Sequence, residues 1–208
     1  AYHIMNRLES VGGEINAYTT KEETCLHASF LKHDFERAIE LISELVFHAT
    51  LPEKELNKEK EVIIDEINSC KDTPTELIFD EFEEIIFQQA PIGRNILGTE
   101  QSVSKFTSRD VKKFIHKNYH TDEMVFCIMA GISENTIKKC IEKYLATAPT
   151  NWRKKNRRRF TNYQPISEKL NRGTYQSHCI IGNVAYDLKD KRRVGLSLLN
   201  NILGGFTL

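Results

Sequence analysis

The chain has 208 residues, enough to bury a core and to hold one large domain, or one domain with part of another. Its residues are 40% hydrophobic and 28% charged, as in ordinary soluble globular proteins, and its formal net charge is zero. That balance excludes steering towards nucleic acid or acidic lipid by overall charge. No apolar run approaches the roughly 18 residues needed to span a bilayer, so no membrane partner is expected.

The five cysteines, Cys25, Cys70, Cys127, Cys140 and Cys179, are scattered, without C-x-x-C spacing. A reducing compartment with most of them buried as small apolar residues is expected, and with it a cytoplasmic location. Residue 1 is Ala, and the opening residues already read as a helix. Both ends are expected to be cut from something longer, so the lack of a signal peptide says nothing about compartment.

In chain order, Ile4, Leu8 and Val11 recur at helical spacing, and Gly12-Gly13 stops that helix. Residues 14–19 alternate, with Ile15 and Ala17 to one side and Asn16 and Tyr18 to the other, which predicts a strand. After the turn at 20–22 comes a second strand, residues 23–31, and the two are expected to pair as a hairpin. Asp34 is the expected cap of a long helix whose apolar face holds Ala38, Ile39, Ile42, Leu45, Val46 and Ala49. Pro52 opens a helix to about Lys71, and Pro74 opens another carrying Leu77, Ile78, Phe82, Ile85 and Ile86.

Residues 91–99 read as a loop, and Thr107 or Ser108 caps a helix to Tyr119. The apolar run 124–130 suits a buried strand, and Ser133 caps a helix ending near Leu145. Residues 148–173 change character: Pro149, Pro165 and Gly173 punctuate them, and 153–159 is a dense basic run. Residues 175–185 then read as a strand and 191–203 as a helix. The expected organisation is a first domain over 1–150, a basic linker over 151–173 and the start of a second domain over 174–208. The fold class expected is α+β, because strands and helices mix without a strict βαβ repeat.

The helix that Pro52 opens holds the most chemistry. Leu56, Val62, Ile63 and Ile67 define its expected buried side, and Glu59 and Glu66 lie two turns apart, almost in line, at the margin of that side. A carboxylate there would be partly desolvated and would need a metal, an Arg or a histidine. The plainer reading is two surface glutamates at a helix edge in an acid-rich helix. The seven histidines form no H-E-x-x-H or H-x-x-E-H. His116 and His120 are four apart near a helix end and could share a face, although the setting also suits a helix C-terminus favouring cationic His. No nucleophile signature or phosphate-cradling glycine loop is present. The run 153–159, with Trp152 beside it, reads as a solvated linker rather than a nucleic-acid site.

Several stretches resemble a known family. Leu8-Glu9-Ser10-Val11-Gly12-Gly13-Glu14-Ile15-Asn16-Ala17-Tyr18-Thr19 looks like the segment that follows the zinc helix in pitrilysin/insulinase-type metallopeptidases, which include insulin-degrading enzyme and the mitochondrial processing peptidase. Glu59-Lys60-Glu61-Val62-Ile63-Ile64-Asp65-Glu66-Ile67 resembles the helix carrying that family's distal glutamate. Pro91 to Glu100, His178 to Gly182 and Leu199 to Gly205 continue the match in order, the last two resembling the start of a second homologous domain. The processing-peptidase branch is the most similar.

The resemblance implies a mainly antiparallel sheet packed against helices, and a zinc-dependent endopeptidase that cleaves extended or unfolded peptides. Zinc in the family sits on an H-x-x-E-H helix plus a distal glutamate, which Glu66 matches; the first glutamate is the general base. The histidine pair and the base would precede Ala1, so no catalytic residue falls within this sequence. Glu59 matches an acid that supports the site by orienting a histidine ligand. Asn16, Ala17 and Tyr18 match the edge strand to which substrate adds as a further strand. The family also holds inactive members that serve as partner or scaffold subunits, and the same fold serves both. Self-association through an exposed second-domain surface is a further expectation.

Overall fold

A computed structural model of the chain describes residues 2–88, 90–150 and 160–204. The basic run 153–159 with Trp152, the first residue of the opening helix and residues 205–208 lie outside the described residues. The chain divides into two compact units, Ala1–Ile67 with Ile96–Arg157, and Asn68–Asn95 with Arg158–Leu208.

In the first unit, α1 (Tyr2–Glu9) ends in a glycine cap. The Gly13 N–H donates to Leu8 O at 2.9 Å and the Gly12 N–H to Glu9 O at 3.0 Å, the paired bonds of a Schellman motif. The two glycines serve different needs. Gly12 sits at φ +76°, where a side chain would be strained, whereas a Cβ on Gly13 would fall 3.1 Å from Ser29 O and 3.3 Å from Leu8 Cβ. The cap turns the chain directly into β1 (Glu14–Thr19), which pairs antiparallel with β2 (Thr24–Ser29) from Glu14↔Ser29 to Thr19↔Thr24. The expected hairpin is therefore present, and it is the only sheet among the described residues.

Leu8 and Ile15 anchor this corner. Both are buried with Ala38 and Leu41, and Leu26, Ala28 and Phe30 pack against them. Ala38 and Leu41 come from α2 (Phe35–Phe47), which follows a 3₁₀ turn, Lys32–Asp34. Asp34 precedes α2 as expected but makes no capping hydrogen bond; its buried carboxylate faces His33 Nε2 at 3.0 Å and Arg37 Nε at 3.6 Å. A second buried cluster joins Phe35 and Ile39 of α2 to Cys140 of α7 (Glu134–Leu145).

The helix opened by Pro52 is α3 (Glu53–Lys71), with Ile67 its buried residue. Val62, expected on the buried side, is about half exposed, while Ile64 is partly covered. A short helix absent from the sequence reading, α5 (Glu100–Lys105), begins with a capping box between Thr99 and Ser102 and buries Val103. Thr107, one of the two expected caps, opens α6 (Ser108–Asn118) with a second box to Asp110. Ser133 caps α7 as expected, accepting from the Thr136 N–H at 3.3 Å.

The expected strand at 124–130 does not form. Met124 has extended backbone, and Ile128 packs towards Phe35 and Cys140. Val125 and Met129 on the opposite side are almost wholly exposed. An apolar run becomes a buried strand only with ladder partners and two covered faces, and among the described residues this segment has one covered face and no partner.

In the second unit, α4 (Pro74–Phe87) leads into a 3₁₀ turn, Pro91–Gly93, where a plain loop was expected. Asn95 Nδ2 donates to Asp80 Oδ2 at 2.8 Å, Phe160 meets Phe87 edge-to-face at 5.3 Å, and Arg172 pairs with Glu81. The expected strand at 175–185 is likewise absent, with Tyr175 and Ile181 fully exposed. The closing helix is present as α8 (Arg193–Gly204). The architecture is α+β, with helices and one antiparallel hairpin among the described residues. No described helix is long and apolar enough to cross a membrane.

Candidate functional site

Two features of the first unit carry the residues singled out above. One is β1, where Ile15 turns into the core while Asn16, Ala17 and Tyr18 stay exposed. Neighbouring β-residues with opposite demands fix the register, because a slip by one residue would expose Ile15. The Asn16 side chain accepts a hydrogen bond from the Ala17 N–H at 2.8 Å. Tyr18 lies opposite Cys25, and its ring centroid is 6.2 Å from that of His27. The Tyr18 phenol is pushed above its ordinary value, first by its hydrogen bond with Cys25, then by the charges of Cys25 and Glu23. It therefore remains a neutral donor across the neutral range.

The other feature is the α3 flank. Glu59 and Glu66 are both exposed, and among the described residues neither side chain has a hydrogen-bond or ion-pair partner. Of the two readings of these carboxylates, their exposure agrees with the plainer one, surface glutamates at a helix edge. Seven residues at about 100° each bring the two nearly into line along the helix. Two lysines of the helix are engaged within it: Lys58 Nζ reaches Glu55 Oε1 at 2.9 Å, and Lys60 Nζ reaches Asn57 Oδ1 at 3.1 Å.

These carboxylates do not by themselves make a metal centre. Among the described residues no group of three His, Cys, Asp or Glu side chains could hold a metal ion. A zinc site takes three protein ligands or more, and Glu66 offers one. His116 and His120 do not share a face: α6 ends at Asn118, His116 is exposed, and His120 folds under with Nε2 3.1 Å from Lys117 O.

The cysteines differ in burial. All five are free, but only Cys140 is buried, with Cys25 and Cys70 partly covered and Cys127 and Cys179 exposed, against the expectation that most are buried. Burial is the first cause pushing the Cys70 and Cys140 thiols up, so both stay protonated and unreactive. The Asn16–Ala17 hydrogen bond was not legible in the sequence, because it depends on a side-chain rotamer that no spacing rule encodes.

Comparison with known proteins gives these features a setting. Residues 1–100 match the insulinase family (peptidase family M16), and residues 105–207 match the peptidase M16 inactive domain. The chain is 30% identical over 207 residues to an uncharacterized zinc protease of Bacillus subtilis, covering 99% of this chain and 50% of that protein. It is 30% identical over 142 residues to the mitochondrial-processing peptidase subunit beta of Saccharomyces cerevisiae, covering 68% of this chain and 31% of that one. In structure it is similar to a peptidase M16 inactive domain from Pseudomonas fluorescens, with a TM-score of 0.78 at 18% identity over 98% of this chain and 50% of that chain. The chain spans about half the length, or less, of the curated relatives it matches. With the two models of one family following each other along nearly its whole length, the chain belongs to the insulinase family of peptidases, family M16.

Proposed function

We propose that this chain is part of a zinc-dependent endopeptidase that takes extended or unfolded peptides, with Glu66 supplying one zinc ligand and the remaining ligands and the base lying outside this sequence. The observation that carries the reading is the state of Glu66. It is an exposed carboxylate with no protein partner among the described residues, within the residues that match the family and on the helix that by resemblance carries the distal glutamate. A carboxylate spent on a local ion pair, as Glu55 is, would be a poorer ligand. Glu59, in line with it and equally free, would orient a histidine ligand. Asn16, Ala17 and Tyr18 would hold the substrate backbone along β1 by strand addition. The division into 1–150, 151–173 and 174–208 is the domain organisation proposed with this reading.

A non-catalytic subunit of the same family is the second reading, suggested only by the description of the model that residues 105–207 match, an inactive domain. One measurement separates the two. The zinc content of the whole gene product, purified without added metal, is compared between the wild type and Glu66→Gln. About one zinc per chain, lost in the variant, supports the peptidase. A wild type without zinc supports the non-catalytic subunit and reduces Glu66 to a helix-edge carboxylate.

A further inference from the structure

The hairpin fixes which backbone groups β1 presents outwards. The Thr20 N–H bonds Glu23 O at 2.8 Å, which makes that pair a hydrogen-bonded one. Alternation along an antiparallel ladder then turns Tyr18, Asn16 and Glu14 towards β2, and turns the N–H and C=O groups of Thr19, Ala17 and Ile15 away from it. Among the described residues β1 pairs with β2 alone, so this second edge is unpaired. The Ala17 N–H sits at the middle of that edge, and it is already engaged by Asn16 Oδ1 at 2.8 Å.

We propose that Asn16 is a displaceable cap on the peptide-reading edge of β1: its amide oxygen occupies the Ala17 N–H in the resting protein, and a docking strand must replace it. The inference rests on the reading of β1 as the substrate-adding strand. Every main-chain bond made to Ala17 is an exchange, since the incoming carbonyl takes the place of the Asn16 oxygen. The exchange lowers affinity for any strand that offers only one good carbonyl. It also blunts the edge against unselective pairing, which exposed strand edges otherwise invite. Asn16 is exposed, so its side chain has room to swing out when it is replaced.

The two substitutions that test the cap act in opposite directions. Asn16→Ala removes the competing acceptor, so peptide binding tightens by about 2- to 10-fold, the worth of one ordinary hydrogen bond. Asn16→Asp keeps the shape and supplies a charged acceptor, which holds the Ala17 N–H more firmly and weakens binding by a similar factor. The probe is a fluorescein-labelled peptide of alternating valine and serine, without charged side chains that a carboxylate at position 16 would attract. It is added to the whole gene product in chelator, with affinity read by anisotropy and β1 engagement by amide hydrogen exchange. The expected result is faster exchange at Ala17 in unliganded Asn16→Ala, with tighter binding there and weaker binding in Asn16→Asp. Unchanged or weaker binding by Asn16→Ala, with the peptide still protecting the β1 amides, overturns the cap and leaves the strand-addition reading standing. A peptide that protects no β1 amide in any of the three proteins overturns both.

Discussion

Ser43, buried on α2, donates its hydroxyl to the carbonyl oxygen of Tyr144 on α7 at 2.7 Å, joining positions 101 residues apart. Tyr144 lies in the last turn of α7, where carbonyls have no helical partner of their own. The serine therefore completes a helix end from a neighbouring helix. Ser43→Ala leaves that carbonyl without its partner and is expected to cost about 1–3 kcal/mol in urea unfolding. A variant as stable as the wild type would mean that water takes the serine's place.

The same pair of helices carries a pH-dependent link. Lys143 Nζ donates to Glu36 Oε1 at 2.7 Å and Tyr144 Oη to the same oxygen at 2.9 Å. The hydrogen bond from Lys143, followed by that from Tyr144, holds the Glu36 carboxyl below its ordinary range. A depressed carboxyl stabilises the fold above its unfolded pKa, and the gain is lost as pH falls through the lowered folded value. The wild type is thus expected to lose more stability than Glu36→Gln below the ordinary glutamate range, with the two curves parallel near neutrality. Urea midpoints across the acidic range check this. Because the pair is exposed, salt should shrink the difference.

The sequence revealed those elements whose cause is local. Ile15 between exposed neighbours marked β1, Gly12-Gly13 marked the end of α1, and Pro74, Thr107 and Ser133 marked helix starts. What it could not supply was the partner. Residues 124–130 have the composition of a strand, but a ladder is made by a second segment, and composition does not say where that segment is. At six residues α5 is too short to show a helical period, though the Thr99-Ser102 box was readable in principle. For the site, the 3.6-residue period aligned Glu59 with Glu66 but could not show that both stay exposed, since a period gives faces and not neighbours. Their expected role, and that of Asn16, Ala17 and Tyr18, came from resemblance alone.

Leu8 links the core to β1. It is fully buried against Ile15, and its carbonyl accepts the Gly13 N–H that closes the cap before the strand. Leu8→Ala opens a cavity under Ile15 and is expected to cost about 2–5 kcal/mol. The loss should fall unevenly: amide exchange in β1 should accelerate more than in α7, which packs on the other cluster. Uniform acceleration would instead show that the unit opens as a whole.

Gly12 gives the sharpest test of how α1 hands over to β1. Its φ of +76° is the reason for glycine, because a Cβ there would meet nothing within 4 Å. The cost of a side chain is therefore conformational and not steric crowding. Gly12→Ala is expected to destabilise by about 1–2 kcal/mol, the penalty for an ordinary residue in the left-handed region. Gly12→Asn should recover part of that loss, since asparagine tolerates this region. Equal losses for alanine and asparagine in urea unfolding would point to contact rather than backbone conformation. The opposite pattern is expected one residue on: Gly13 is hemmed in by Ser29 O and Leu8, so alanine and asparagine should both be harmful there, asparagine the more so.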